Sequence, residues 1–287
     1  MNTRMTRHTL AAVAVAASAA LLAACGNTST SNTMPGMNMS TTMTSPSTSA
    51  TNSMPMAHGN GLSATDDGYT LTLKSAPIPG KSTPITFVIA KDGKPFTDYQ
   101  VEQTKKLHFY LIRDDLTGFQ HLHPTMAADG TWSVTPGSIA PGNYRIYTQF
   151  DPVGATDPYV LSVPVRAGVG SMHTLPGVGT TTTVGGYQVR LDGALTRGGR
   201  VKVSFTKDGK PVTDLQPYLD TYAHVTGFRE GDMAFTHLHP GNAVTTMGGG
   251  PDLMFMIEAP EAGTYRLFIQ FTVAGLLHTA ALTTTIN

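Results

Sequence analysis

From about residue 63 onward the chain is built of short runs in which apolar and polar residues alternate, the signature of half-buried strands. Ile85 to Ala90 and Val201 to Thr206 are such runs, and each leads into a Lys-Asp-Gly-Lys turn suited to a tight hairpin. Tyr144-Arg145-Ile146-Tyr147-Thr148-Gln149-Phe150 and Tyr265-Arg266-Leu267-Phe268-Ile269-Gln270-Phe271 are rich in β-formers throughout. Turn signals recur about every ten residues and no long helical period intervenes. About seven strands in roughly one hundred residues predict an immunoglobulin-like β-sandwich.

The pattern occurs twice. Lys91-Asp92-Gly93-Lys94-Pro95 matches Lys207-Asp208-Gly209-Lys210-Pro211, and the match runs without a gap to Pro124 and Pro240. Gly68-Tyr69 pairs with Gly186-Tyr187, and Gly142-Asn143-Tyr144-Arg145 with Gly263-Thr264-Tyr265-Arg266. A period above one hundred residues means a duplicated domain and not a solenoid. The expected architecture is therefore all-β, with two tandem sandwiches at 63–168 and 180–287 joined by a linker at 169–179.

The N-terminal part reads differently. Arg4 and Arg7 precede an apolar run, Leu10 to Ala24, that is too short to span a membrane stably. Residues 1–24 are thus expected to be an export signal. Leu22-Ala23-Ala24-Cys25 resembles the lipobox of bacterial lipoproteins, which implies lipidation of Cys25 and anchoring of the exported chain to the cell envelope. Cys25 is the single cysteine, so no internal disulfide is possible. Residues 25–62 are rich in Ser, Thr, Asn, Met and Pro and predict a disordered tether.

Charge adds one exclusion. The chain has 19 Lys+Arg and 19 Asp+Glu. Without Arg4 and Arg7 the balance is 17 against 19, a net of −2 with no basic patch, and nucleic acid is not an expected partner.

The chemistry lies in histidine. His121-Leu122-His123-Pro124 recurs as His237-Leu238-His239-Pro240, each with a histidine thirteen residues upstream, His108 and His224. Residues two apart on a strand share a face, so His121 and His123 point one way, as do His237 and His239. A hairpin pairing even with odd positions brings His108 beside the first pair and sets Leu107, Phe109, Leu111 and Leu122 on the opposite, core face. A Gly231-Asp232 turn likewise sets His224 opposite His239. Imidazole is the commonest metal ligand, so one three-histidine site is expected in each repeat. His278 on the last strand is a further candidate ligand and makes the second repeat the expected tighter site. Asp157 at the corresponding place in the first repeat, with Met172 and His173 in the linker, are weaker candidates.

Imidazole suits copper, zinc and nickel alike, whereas thioether selects Cu(I). The tether contains Met34, Met37, Met39, Met43, Met54 and Met56, then His58. These segments resemble the Met- and His-rich stretches of exported copper-handling proteins, so copper, as Cu(I) or Cu(II), is the expected metal, with zinc the alternative. The tandem pattern of Asp-Gly-Lys-Pro, upstream His, Phe-x-His-Leu-His-Pro and Gly-x-Tyr-Arg resembles bacterial secreted lipoproteins labelled heavy-metal-binding, over about residues 65–287. That resemblance implies a lipid-anchored carrier acting in metal sequestration, resistance or delivery to an envelope partner. Gly118-Phe119-Gln120-His121-Leu122-His123 also resembles a stretch of copper-zinc superoxide dismutases. The disulfide cysteines and arginine motif of that family have no counterpart here, and a non-catalytic protein is expected. The competing expectation is an adhesion or structural module whose histidines are incidental.

Overall fold

A computed structural model describes residues 57–241, 244–245 and 248–287. The expected signal (1–24), Cys25 and the tether methionines Met34, Met37, Met39, Met43, Met54 and Met56 lie outside the described residues. Among the described residues the structure is all-β, with no helix, and both repeats belong to one compact unit.

The first repeat contains β1 (Thr65–Asp66), β2 (Tyr69–Leu73), β3 (Ile85–Lys91), β4 (Lys94–Pro95), β5 (His108–Arg113), β6 (Gln120–Leu122), β7 (Thr125–Met126), β8 (Thr131–Val134), β9 (Gly142–Phe150) and β10 (Tyr159–Ala167). One sheet has the order β1-β2-β3-β8-β7, with β4 also paired to β3, and the other has β10-β9-β5-β6. The second repeat contains β11 (Thr181–Val184), β12 (Tyr187–Asp192), β13 (Arg200–Lys207), β14 (Lys210–Pro211), β15 (Ala223–Arg229), β16 (Phe235–Pro240), β17 (Asp252–Met256), β18 (Gly263–Val273) and β19 (Leu276–Ile286). Its strands follow the same order, so each repeat is an immunoglobulin-like sandwich.

Local sequence explains the shared features. Both Lys-Asp-Gly-Lys turns close two-residue hairpins, with Lys91 opposite Lys94 and Lys207 opposite Lys210. Asp92 and Gly93 have φ of 51° and 77°, Asp208 and Gly209 50° and 72°, the left-handed pair that such a turn requires. The duplicated Gly-x-Tyr-Arg begins β9 and β18. There Tyr144 Oη donates to Ala140 O at 2.8 Å and Tyr265 Oη to Glu261 O at 2.7 Å, the tyrosine corner of immunoglobulin-like folds.

Three apolar clusters hold the unit together. Two are the sandwich cores, around Phe87, Phe109, Trp132 and Ile146 in the first repeat and Val203, Phe205, Val225 and Ile269 in the second. The third lies between the repeats, where Tyr110, Ile112, Tyr147 and Val160 from the outer face of β5, β9 and β10 meet Phe228, Phe235 and Phe268 from β15, β16 and β18. Each of these two sheets is therefore buried on both faces, and all six residues of β5 are buried.

Two expected boundaries change. The tether was expected to run to residue 62, but Ala57 packs against the interdomain cluster. His58 N donates to Pro158 O, Phe235 N donates to Asn60 O at 2.9 Å, and Ser162 Oγ donates to Gly61 O. The linker is also fastened. Arg113 Nη2 donates to Ser171 O, the His173 amide donates to Asp115 at 2.9 Å, and Leu175 joins the interdomain cluster. Both segments were polar enough to read as free chain. Neighbouring sheet faces supply the partners that order them.

Candidate metal centre

The His-Leu-His-Pro elements sit where the chain crosses from one sheet of a sandwich to the other. In the second repeat β16 pairs with β15 through Phe235–Leu238 and then with β17 through His239 and Pro240. In the first repeat β6 pairs with β5 and β7 with β8, with His123 and Pro124 between them. The expected registers are present. Tyr110 lies opposite His121 and Thr226 opposite His237. Leu122 packs on the first core and Leu238 lies within the second.

The face carrying the histidines does not meet solvent. It is the face covered by the other repeat, so the two expected three-histidine sites meet in one composite cluster. Ring centroids are 5.3 Å apart for His108 and His121, 4.8 Å for His121 and His123, and 5.2 Å for His108 and His123. Across the interface His121 is 4.7 Å and His108 5.7 Å from His224. The chain of rings continues through His237, 4.4 Å from His224, to His239 at 4.9 Å from His237. His108, His224 and His237 are at most 5% exposed and His121 is 9% exposed. Potential ligand nitrogens of His108, His121 and His224, one from each ring, all lie within 4.8 Å of one another.

Five candidates fall elsewhere. His278 packs on Tyr187 and Phe271 in the second repeat, with centroids at 4.9 and 5.3 Å. The second repeat therefore gains no tighter site, since the convergent trio draws two of its three rings from the first. His58 stacks on Tyr159 at 4.5 Å. In the linker, His173 Nδ1 lies 3.0 Å from Asp115, and Met172 is exposed. Asp157 bonds Thr156.

Hydrogen-bond partners set the imidazole tautomers. His108 Nε2 faces the backbone carbonyl of Glu102 at 3.3 Å, so that nitrogen carries the proton. His121 Nδ1 donates to Gln270 Oε1 at 2.7 Å. Both remaining nitrogens, His108 Nδ1 and His121 Nε2, are then bare lone pairs facing each other at 3.0 Å. The Tyr110 hydroxyl, 3.4 Å from Gln149 Oε1, donates there. Its oxygen accepts from His224 Nε2 at 3.3 Å, leaving His224 Nδ1 buried as a lone pair with no partner.

The two repeats mirror each other here, because Gln149 and Gln270 hold the same place on β9 and β18. The mirror is broken at one amide. Gln270 presents its oxygen to His121, whereas Gln149 presents its amide nitrogen to His237 Nδ1 at 3.3 Å. His237 is therefore the opposite tautomer, and its buried Nε2 lacks a partner.

Burial opposes protonation of these rings. It lowers His108 to about 4, against the opposing hydrogen bond from Glu102, with Lys105 adding to the effect. It lowers His123 to about 3, helped by His108 and Lys105. His121, His224 and His237 are pushed well below the ordinary value, first by burial and then by neighbouring imidazoles. A pocket of about 280 Å³ leads to the cluster, lined by His108, His237, His239, Gln149, Asp151 and Glu102 among others. Burial, and then Glu102, raise Asp151 to about 6.

The sequence reading missed Gln149, Gln270 and Tyr110. The duplicated Gln-Phe, at the end of β9 and two residues before the end of β18, was the available signal, a polar residue at an outward position within an otherwise apolar stretch.

Fold and site together define a tandem immunoglobulin-like protein with a buried histidine centre at its domain interface. The chain belongs to the family described as a domain of unknown function (DUF8832), whose pattern matches residues 63–166 and 182–287. No curated protein matches it. Solved structures similar to the chain include domains 4 and 5 of the S-layer protein SbsC, at 13% identity over 76% of this chain and 96% of that one, TM-score 0.20. Yersinia pseudotuberculosis InvD is similar at 14% identity over 76% and 58%, TM-score 0.22. Fibronectin(III)-like modules of Clostridium thermocellum CbhA are similar at 12% identity over 76% and 93%, TM-score 0.19. Likenesses at this level say nothing about function.

Proposed function

We propose that the protein is a non-catalytic, exported and lipid-anchored metal holder that binds one transition-metal ion, copper first and zinc second, through His108, His121 and His224. The observation that carries this reading is the close approach of His108 Nδ1 and His121 Nε2, 3.0 Å apart in a buried site, while the other nitrogen of each ring faces an oxygen acceptor. Moving the proton of His108 to Nδ1 transfers the conflict to the Glu102 carbonyl, and the other metal-free relief requires the Gln270 amide turned to donate to His121 Nδ1, as Gln149 does to His237. A third proton would relieve it, but burial disfavours the imidazolium. A cation bound by both nitrogens relieves it, and the spacing suits two donors on one metal with bonds of about 2 Å.

The donor set fits such an ion. Two of its rings donate their other N–H to an oxygen acceptor, Glu102 O or Gln270 Oε1, as metal-ligating histidines do. The third does so to the Tyr110 hydroxyl. His123, whose Nε2 is buried without a partner, is the nearest reserve donor. Asp151 and Glu102 in the pocket attract cations towards the centre. The tether methionines would favour capture of Cu(I), and Cys25 would hold the protein at the membrane, where an envelope partner could exchange metal with it.

Metal titration of the mature protein tests this. His121→Ala and His224→Ala lie in different repeats, yet each is expected to remove the same single equivalent, while His278→Ala removes none. Unchanged stoichiometry in both first variants would refute the reading. The competing reading is a structural or adhesion module in which the imidazoles only pack. The stacking of Tyr110 on His121 at 4.5 Å favours it, since that contact needs no metal. Its outcome is a protein that keeps its docked repeats and takes up no metal at all.

A further inference from the structure

Resting on that metal-binding reading, we infer that the centre selects a monovalent d¹⁰ cation, Cu(I) or its redox-silent counterpart Ag(I), over Zn(II) and Cu(II). The selection comes from charge, because among the described residues no carboxylate group hydrogen-bonds any of the three ligating rings. His108 bonds a backbone carbonyl, His121 a glutamine amide and His224 a phenol. The remaining neighbours are the rings of His123 and His237. The nearby formal charge acting on His108 and His123 is the cation of Lys105.

The carboxylates stand back from the ligands. Glu258 is committed to His239, Nε2 to Oε2 3.2 Å. Asp151 and Glu102 line the pocket and make no hydrogen bond to a ligating ring through their carboxylates. A divalent ion thus keeps its full double charge in a site only 1–9% exposed at its ligands. The Born cost of burying charge rises with its square, so a divalent ion costs about four times as much here as a monovalent one. Sites that hold zinc commonly offset this with a carboxylate behind the histidine. Here Gln270 occupies that position behind His121 and supplies the same acceptor geometry without the charge.

The test compares three probes on the full mature chain: Ag(I), Cu(I) by anaerobic competition with a chromogenic chelator, and Zn(II) against an indicator. The signal of the centre is the equivalent that disappears in His108→Ala. For that equivalent the monovalent ions are expected to bind about 10–100-fold tighter than Zn(II), the range of outer-shell effects at metal sites. Gln270→Glu keeps the acceptor and adds the missing charge, and is expected to narrow the gap about tenfold or more. Zn(II) bound as tightly as Ag(I) at the His108-dependent site overturns the selectivity and leaves the metal centre standing. An unchanged ratio in Gln270→Glu overturns the charge argument. Loss of no equivalent of any metal in His108→Ala overturns the centre itself.

Discussion

Because the proposed ligands are divided between two repeats, metal affinity should depend on residues that touch no imidazole. Phe228 is such a residue. It points away from the core of its own sandwich and is fully buried between the repeats, with its ring 5.0 Å from Tyr147 and 5.8, 6.1 and 6.2 Å from Phe235, Phe119 and Phe268. Phe228→Ala removes the ring from the middle of the interdomain cluster, a change worth about 3–5 kcal/mol for a buried phenylalanine. Since each 1.4 kcal/mol is tenfold, docking of the repeats weakens by about two to three and a half powers of ten. The apparent affinity for metal falls in proportion to the docked fraction. The assay measures metal affinity together with amide exchange in β5 and β15. Exchange should accelerate on these strands while β3 and β13, on the far sheets, remain protected. If the β5 and β15 amides lose protection to the extent of largely undocked repeats and metal affinity is unchanged, the composite centre is refuted.

Three further outcomes are expected. Gln270→Leu leaves the buried Nδ1–H of His121 without an acceptor, which costs about 1–3 kcal/mol and weakens metal binding about 10–100-fold; chemical denaturation and titration read the two effects. Burial raises the pKa of Asp115, but Thr117, His173 and Arg113 outweigh it and leave the carboxyl below its ordinary value. Its stabilisation is therefore complete above the unfolded value of about 3.9 and lost as pH falls through the lower folded value. The difference in thermal midpoint between the wild type and Asp115→Asn should close at the acid end of a pH series, and a gap that persists at the lowest pH contradicts this. Tyr144→Phe and Tyr265→Phe each remove one corner hydrogen bond and should cost similar amounts, about 0.5–1.5 kcal/mol, in urea melts.

Much of the site was legible along the chain. The hairpin around Asp114–Gly118 and that around Gly231-Asp232 pair as the alternation of core leucines requires, because a slip of one residue would turn Leu122 or Leu238 outward. Tyr110 and Ile112 on β5, and Phe228 on β15, were the overlooked sign that the histidine face is covered, since they make the outer positions apolar as well. His278 misled because its strand neighbours the cluster in sequence order, while its own position along β19 sets it beside Tyr187. The reach of the folded unit back to Ala57 left no sequence signal that composition could reveal.

The sequence by itself determined the duplicated sandwich, its hairpins and the shared face of each histidine triplet, because these follow from alternation and turn chemistry within a few tens of residues. The tertiary structure decided that two triplets form one centre. It also decided which ring nitrogens stay bare, through contacts such as His121 with Gln270, 149 residues apart. The physical reason is that docking depends on the summed apolar surface of two sheets, and a tautomer depends on the acceptor that docking places against it.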